Sequence, residues 1–402
     1  MRFIFQFLAA TSAALLSFSV LAWNVQLYGG ADIGISYVNV SRGPVSGVDT
    51  GASGSQLAMD SSVLDDSFFG IKGKEDLGSG WTATFNLASQ ININDGEIAQ
   101  PYYFGIESTL GISNRAYGTL KLGRQQTIST DFWGNIDPMQ LSFGQANMGT
   151  SFTAINTQYY NNLVQYTTPT WKGLQAGIGY SFNTGDTGVY ADSGNLSPVS
   201  SSNGFGTMNQ MRALSAAVQY QHGPLLAVAS YDTAFGSSTI PDPNDSSLQV
   251  PNNNLANPQA WYLGVAYTIN KVVLSGAWGR GINGALSGSG PGSGVGGSPL
   301  VSLTGTGNIL FSRGFNHNSY LLGASWSIDD RTQLMASWQM LQPTDELATL
   351  PQVASQQIVG AALTYDLSPR TTVYVWASYA DNFQMFRTAK TSVVGTGFQT
   401  LF

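Results

Sequence analysis

Apolar and polar side chains alternate along many segments of about ten residues in this chain, which is the period of a half-buried β-strand. NVQLYGGADIGISYV at 24–38 is one such segment, and WYLGVAYTI at 261–269 is another. Short turns, such as the one at 77–80, connect neighbouring segments in pairs. Between the pairs lie long polar stretches rich in Gly, Ser, Asn and Pro, at 39–66, 126–157, 185–209, 235–258 and 282–314. This pattern predicts antiparallel hairpins with short turns at one end and long loops at the other.

The balance of apolar and charged residues indicates what these strands face. Only 10% of the residues are charged and 12% are aromatic, while the mean hydropathy is −0.01. After residue 22 no uncharged apolar run reaches the roughly 18 residues of a membrane-spanning helix. A sheet that contacts lipid has to close on itself, because an open edge leaves backbone groups unpaired. We therefore predict an all-β protein, a transmembrane antiparallel β-barrel of 16 strands that forms one domain at 23–402. Sixteen strands are wide enough for an aqueous channel.

The first 22 residues have the features of an export signal. Arg2 precedes a mostly apolar run up to Val20, and Ala22 provides a small residue for cleavage. We predict a signal peptide at 1–22, with an uncleaved anchor as the alternative. The net charge of −7 argues against a nucleic-acid partner, and the absence of Cys excludes disulfides and thiolate metal sites. No metal cluster or nucleotide loop is visible, so no cofactor is predicted.

Several segments resemble the general porins of Gram-negative outer membranes, especially the β-proteobacterial group. They are LYGGADIG at 27–34, FGIKGKEDLGSGWTATFNL at 69–87, GTLKLGRQ at 118–125, YYNNLVQYTTPTWKGLQAGIGYSF at 159–182 and YDLSPRTTVYVWASY at 365–379. The resemblance implies passive diffusion through a homotrimer in the outer membrane, in contact with lipid and lipopolysaccharide. It also implies that the third loop folds into the lumen. Phe402 matches the terminal aromatic residue that the barrel-assembly machinery reads in this family.

The resemblance also implies a constriction where acidic residues of loop 3 face basic residues of the wall. Asp131 and Asp137 match the acidic positions, and Arg124 matches one basic position. Other basic positions of the family are occupied here by Phe68, Gln100 and Tyr160. Lys72 and Lys74 alternate with an outward Ile71, so they are predicted to face the lumen. We therefore expect weak or cation-leaning selectivity, unless other basic residues complete the wall: Arg115, Arg212 or Arg280.

Three other functions remain open at this point. Aromatic residues in place of arginines also fit a channel selective for sugar-like or aromatic solutes. His317 and Ser319 lie two residues apart, as in outer-membrane lipid hydrolases, but the alternation of apolar residues predicts that both face the lumen. The long loops could also serve a receptor or adhesin, although their composition identifies no partner.

Overall fold

The computed structural model describes residues 24–41, 43, 53–100, 102–155, 159–184, 189–190, 211–236, 239–242, 245–251, 256–286 and 310–402. The predicted signal peptide at 1–22 lies outside the described residues, as do large parts of the polar stretches at 185–209 and 282–314. Within the described ranges no helix has the length and apolar character needed to cross a membrane.

Antiparallel strands dominate the fold, and seventeen of them belong to one sheet. This sheet consists of β1 (Asn24–Ser41), β2 (Gly54–Ser61), β3 (Phe68–Gly78), β4 (Trp81–Gln90), β5 (Glu107–Asn114), β6 (Gly118–Gln126), β7 (Tyr159–Thr167), β8 (Leu174–Ser181), β10 (Arg212–His222), β11 (Leu225–Phe235), β14 (Gln259–Ile269), β15 (Val272–Ile282), β18 (Asn316–Ser327), β19 (Thr332–Thr344), β20 (Gln356–Ser368), β21 (Thr371–Asp381) and β22 (Lys390–Leu401).

The remaining elements are short and connect the barrel strands. Two small sheets contain β9 (Val189–Tyr190), β12 (Thr239–Asp242), β13 (Asp245–Pro251), β16 (Gly284–Ala285) and β17 (Leu310–Phe311). One α-helix, α1 (Ile128–Trp133), follows β6. Turns of 3-10 helix occupy Gly144–Ala146, Met148–Thr150, Thr153–Ile155, Asp345–Thr349 and Phe383–Met385.

The first and last barrel strands close the sheet. On one side β1 pairs with β22, from Gly30 opposite Leu401 to Ser41 opposite Lys390. On its other side β1 pairs first with β3 and then with β2. Since β2 and β3 share one strand position, the sheet is a closed barrel with 16 positions, as the alternation predicted.

The shared position of β2 and β3 corrects the predicted loop boundary. We expected 39–66 to be one polar loop, but β2 occupies Gly54–Ser61 and continues the wall. Residues 62–67 then leave the wall before β3 begins, and we call them the 62–67 insert. The insert starts at Ser62, whose φ of 63° turns the chain out of the strand.

The two faces of the barrel wall differ in character, as alternation requires. In β14, Trp261, Leu263 and Val265 are exposed, at 48%, 55% and 44%. The residues between them belong to the opposite face, and among these Tyr262 and Ala266 are buried. Exposed apolar side chains in this arrangement are typical of a lipid-facing barrel surface.

Residues 127–155, which we call the 127–155 segment, pack against the face opposite to the exposed apolar one. Trp133 lies directly on Gly264 of β14, where a Cβ atom would come within 2.5 Å of the indole ring. The Trp133 Nε1 donates a hydrogen bond of 2.9 Å to the Ser230 Oγ in β11. Further along the segment, the Gln339 amide of β19 donates to the carbonyl oxygens of Gln145, Ala146 and Asn147. The segment therefore follows the wall across many strands.

Candidate functional site

A cavity of about 300 Å³ lies where α1, the 62–67 insert and the wall strands meet. Two of the sequence-predicted residues, Phe68 and Asp131, line it. Its lining contains four carboxylates and one ammonium group, and three of its side chains are aromatic rings of Tyr or Phe. The lining residues are Tyr28, Asp65, Asp66, Phe68, Ala88, Ile106, Glu107, Lys121, Gln125, Gln126, Asp131 and Tyr159. We call this space the acidic cavity.

Asp131 lies in the first turn of α1. Thr127 caps this helix, since its Oγ1 accepts a hydrogen bond of 3.2 Å from the Thr130 nitrogen. The Asp131 side chain is exposed to water, and its Oδ2 accepts one long hydrogen bond of 3.5 Å from the Gln165 amide. Protein surrounds the carboxyl closely enough that desolvation raises its pKa, an effect that the Lys121 ammonium opposes. Asp131 therefore presents a carboxylate to the cavity.

Lys121, the one ammonium group in the lining, is already paired with a carboxylate. Its Nζ lies 3.1 Å from an oxygen of Glu107, and both side chains are partly exposed. The other Glu107 oxygen accepts a hydrogen bond of 2.7 Å from Asn86, which itself accepts from the Tyr28 hydroxyl. The Lys121 charge is thus largely balanced by Glu107, and no ion pair joins the other carboxylates of the lining to a cation of the lining.

The 62–67 insert carries two more carboxylates, Asp65 and Asp66, which were not among the predicted site residues because 39–66 was predicted to be a loop. The Asp66 carboxylate accepts hydrogen bonds from the Gln90 amide at 2.6 Å and from the Tyr159 hydroxyl at 3.4 Å. Burial and the neighbouring Asp65 raise the pKa of Asp66 to about 7. The signal in the sequence was the acidic pair Asp65–Asp66, which ends one residue before the strand that begins at Phe68.

Asp32 in β1 anchors this insert. One of its carboxylate oxygens accepts hydrogen bonds from the backbone nitrogens of Leu64 at 2.7 Å and Asp65 at 3.0 Å. The other oxygen accepts a hydrogen bond of 2.6 Å from the Tyr374 hydroxyl of β21. Because Asp32 is fully buried, these contacts fix the insert relative to two strands of the wall.

Arg124 lies beside the acidic cavity and is held by several acceptors. Its Nε donates to the Gly105 carbonyl oxygen at 2.7 Å, and its Nη2 donates to the Gln100 Oε1 at 3.0 Å. Its Nη1 donates to the Asn161 Oδ1 at 2.8 Å, and the guanidinium lies 4.3 Å from the centre of the Tyr102 ring. The structure therefore brings Arg124 and Gln100 together, as a rigid group of the wall.

The two lysines of β3 occupy the end of the strand that leads to a short turn. The Lys72 Nζ lies 4.1 Å above the centre of the Tyr28 ring, which places Lys72 on the cavity side of the sheet. Phe68 contacts the same ring edge to face, with centroids 5.4 Å apart. Lys74 is exposed and pairs in register with Thr84. Neither lysine belongs to the cavity lining.

Asp137 and Tyr160 have positions different from those we expected for constriction residues. Asp137 is only 3% exposed, and its carboxylate accepts hydrogen bonds from three backbone nitrogens of its own segment, those of Met139, Leu141 and Met148. Its role is to hold the turn of this segment. Tyr160 is 4% exposed and packs in the apolar core, whereas Tyr159 lines the cavity. A register shift between Gly123 and Gln125 changes which β7 residues face the cavity.

The alternative basic residues do not line the acidic cavity. Arg280 forms an ion pair of 2.8 Å with Asp345. Because side chains alternate along a strand, Arg280 lies on the same face of β15 as the exposed Trp278. Arg115 lies in the turn between β5 and β6, and Arg212 contacts the Phe235 ring at 5.7 Å. The predicted basic substitutes therefore lie elsewhere on the barrel.

Ser319 faces the 127–155 segment, and His317, two residues away on β18, lies on the same side of the sheet. The Ser319 Oγ donates a hydrogen bond of 2.6 Å to the Ser151 carbonyl oxygen, and both side chains are buried. A lipid hydrolase needs these groups on the lipid-facing surface, so this arrangement argues against hydrolysis. Among the described residues, no group of three or more His, Asp or Glu side chains could hold a metal ion.

The terminal residue takes part in barrel closure. The Phe402 nitrogen donates to the Gly29 carbonyl oxygen at 3.0 Å, and the Gly29 nitrogen donates to the Phe402 carbonyl oxygen at 3.1 Å. Its aromatic ring is 55% exposed.

Comparisons with known proteins agree with this fold. The family model described as Gram-negative porin matches residues 8–383. An outer membrane porin protein of Bordetella pertussis is 35% identical over 389 residues, which cover 94% of each chain. The solved anion-selective porin from Comamonas acidovorans is similar with a TM-score of 0.67 at 21% identity, over 95% of this chain and all of that chain. The trimer form of the Vibrio cholerae outer membrane protein OmpT has a TM-score of 0.55 at 12% identity, over 95% and 100% of the two chains.

Proposed function

Because this chain belongs to the Gram-negative porin family, we propose that it is a general diffusion channel whose narrowest part favours cations. The chain is an outer-membrane protein, and its relatives are channels rather than enzymes. Ions and small hydrophilic solutes cross a water-filled lumen down their gradients, without a cofactor. The 127–155 segment narrows this lumen, and the acidic cavity is the constriction through which solutes pass.

The charge of the acidic cavity is the observation that supports cation preference. Four carboxylates line it, and its one ammonium group is paired with Glu107. Fixed charges at a narrow passage with low-dielectric walls act strongly on a passing ion, because the walls focus the field. An excess of carboxylates therefore attracts cations and repels anions. The anion-selective porin named above shares 21% identity, a level that shows the common fold and not a common selectivity.

The proposal also covers how the chain is exported and assembled. The chain forms a homotrimer, as the trimeric OmpT does, and contacts outer-membrane lipid and lipopolysaccharide through its exposed apolar face. Residues 1–22 serve as the signal peptide of the barrel at 23–402. Phe402 provides the aromatic residue for the barrel-assembly machinery.

A second candidate is a channel selective for sugar-like or aromatic solutes. It is favoured by Tyr28, Phe68 and Tyr159, which line the same cavity. Aromatic faces stack on apolar sugar faces and on other rings, so such solutes would pass more slowly than their size predicts.

Planar-bilayer recording of the purified protein tests the diffusion channel. We expect steady ohmic conductance and a reversal potential in a KCl gradient that indicates weak cation preference. Asp131→Asn should shift this potential towards anions, because it removes a water-exposed carboxylate from the constriction. Asp95→Asn, a change at an exposed residue outside the cavity lining, is the control. A sealed barrel would overturn the channel, and anion preference would overturn the selectivity. Solute-induced current block by sugars or small aromatic compounds would support the second candidate.

A further inference from the structure

Gln125 is a buried amide in the wall of the acidic cavity that lacks hydrogen-bond partners. The side chain is 2% exposed, and neither its Oε1 nor its Nε2 has a partner among the described residues. Buried amides are nearly always hydrogen-bonded, since desolvation without a partner is unfavourable. Gln125 lines the cavity and has one donor and one acceptor group available there.

Carboxylates in the same cavity complement this amide. Asp131 is exposed to water, and its only hydrogen bond among the described side chains is the long contact from Gln165. Lys121 pairs in register with Gln165 and so lies on the Asp131 side of the cavity, but its ammonium is held by Glu107 at 3.1 Å. An ammonium group that enters the cavity can therefore bind Asp131 without displacing an internal cation.

The aromatic side of the wall already accommodates an ammonium group. The Lys72 Nζ lies 4.1 Å above the Tyr28 ring, and Tyr28 lines the cavity beside Phe68. Contact between a cation and an aromatic ring is favourable when the cation is partly desolvated. The Tyr28 ring thus already contacts one cation, and the neighbouring Phe68 ring lines the same cavity.

We propose that the acidic cavity is a binding subsite for small organic ammonium solutes that also carry a carboxamide group. This inference rests on the proposed diffusion channel. The ammonium binds Asp131, and the carboxamide pairs with Gln125, whose amide donates to the solute carbonyl and accepts from the solute N–H. A simple alkylammonium satisfies only the carboxylate, and a neutral amide satisfies only Gln125. A carboxylate-bearing solute is repelled by the acidic lining.

Bi-ionic reversal potentials in planar bilayers test the subsite. Glycinamide and n-butylammonium are cations of similar size, and only glycinamide carries a carboxamide. In the wild-type channel we expect glycinamide to be more permeant than n-butylammonium by about 3- to 10-fold, the effect of a net hydrogen bond or two. Gln125→Leu should bring this ratio close to one. Gln175→Leu changes a glutamine outside the cavity lining and should preserve the ratio.

The measurements show separately whether the subsite proposal fails and whether the channel proposal fails. Equal permeation of both cations in the wild-type channel would overturn the subsite and indicate that water alone occupies the cavity at Gln125. An unchanged ratio in Gln125→Leu would overturn the subsite too, while the KCl measurement separately reports whether the cation-preferring channel stands. If Gln125→Leu does not fold, Gln125→Met keeps a side chain of similar length without the amide, and the proposal then requires a ratio close to one.

Discussion

The backbone nitrogen of Phe143 donates a hydrogen bond of 2.8 Å to the carbonyl oxygen of Val63. Phe143 belongs to the 127–155 segment and Val63 to the 62–67 insert, so this contact joins the two parts of the chain that leave the wall. The Ser142 hydroxyl adds a second link, to the Leu64 carbonyl oxygen. The insert contributes Asp65 and Asp66 to the acidic cavity and the segment contributes Asp131, so these contacts join the two parts that carry these carboxylates.

Removing the anchor of the 62–67 insert should destabilise it. Asp32→Ala deletes three hydrogen bonds to a buried carboxylate, which should lower the free energy of unfolding by about 3 kcal/mol. Single-channel recordings should show increased current noise, because the insert can then move. Tyr374→Phe removes one of the three bonds and should cost about 1 kcal/mol. Thermal unfolding in detergent measures both variants, and equal stability to wild type would contradict the anchoring role.

Asp137→Asn separates the structural role of Asp137 from a direct role in selectivity. The Oδ2 atom accepts hydrogen bonds from the Leu141 and Met148 nitrogens, and an amide nitrogen in its place cannot accept them. We expect a loss of stability of about 2 kcal/mol and a smaller shift in reversal potential than in Asp131→Asn. Recording both variants in the same KCl gradient checks this order. A larger shift in Asp137→Asn would mean that its carboxylate acts on passing ions.

Cation preference should depend on pH in a range where ordinary carboxylates do not titrate. The pKa of Asp66 is raised to about 7, and that of Asp131 is also raised, whereas an unperturbed Asp titrates near 4. A raised pKa means that these groups lose their negative charge first as the pH falls. The reversal potential should therefore move towards zero between pH 8 and pH 5. Asp66→Asn should remove the upper part of this change, and a flat profile above pH 5 would be inconsistent with these shifts.

The contact between Trp133 and Gly264 predicts an effect on conductance. In Gly264→Ala the new methyl group would lie 2.5 Å from the indole ring, so α1 has to move away from the wall. Single-channel conductance should decrease, and the variant should lose about 1–3 kcal/mol of stability. Gly276→Ala is a matched control in the adjacent strand, where the nearest atom is 3.5 Å away. Both variants should insert equally well, and equal conductance would show that α1 does not narrow the pore.

A substitution at Phe402 should affect assembly in cells more than the stability of the folded barrel. Phe402→Ala retains the two backbone hydrogen bonds to Gly29 and removes only a half-exposed ring. The free energy of unfolding of the folded variant should therefore lie within about 0.5 kcal/mol of the wild-type value, as is usual for surface substitutions. Its amount in the outer membrane of cells should nevertheless fall, if the assembly machinery reads this ring. Normal membrane levels would contradict the assembly role.

The sequence by itself determined the barrel. Alternation in segments such as 261–269 reflects a wall with one lipid-facing side, and this period is local, so it can be read without knowing strand partners. The turns and long connections likewise led to the correct count of 16 positions. The sequence also placed Asp131 and Phe68 in the candidate site, and His317 and Ser319 opposite the lipid-facing side.

Only the tertiary structure decided which charges meet. The 62–67 insert brings Asp66 to the cavity through contacts with strands far away in the chain, and no local pattern encodes them. Asp137 matched an acidic position, but the fold of its own segment buries the carboxylate among backbone N–H groups. Near Tyr160 a single register shift exchanges the two faces of β7, because side chains alternate with a period of two. Alternation therefore specifies the wall, while long-range contacts specify the charge of the constriction.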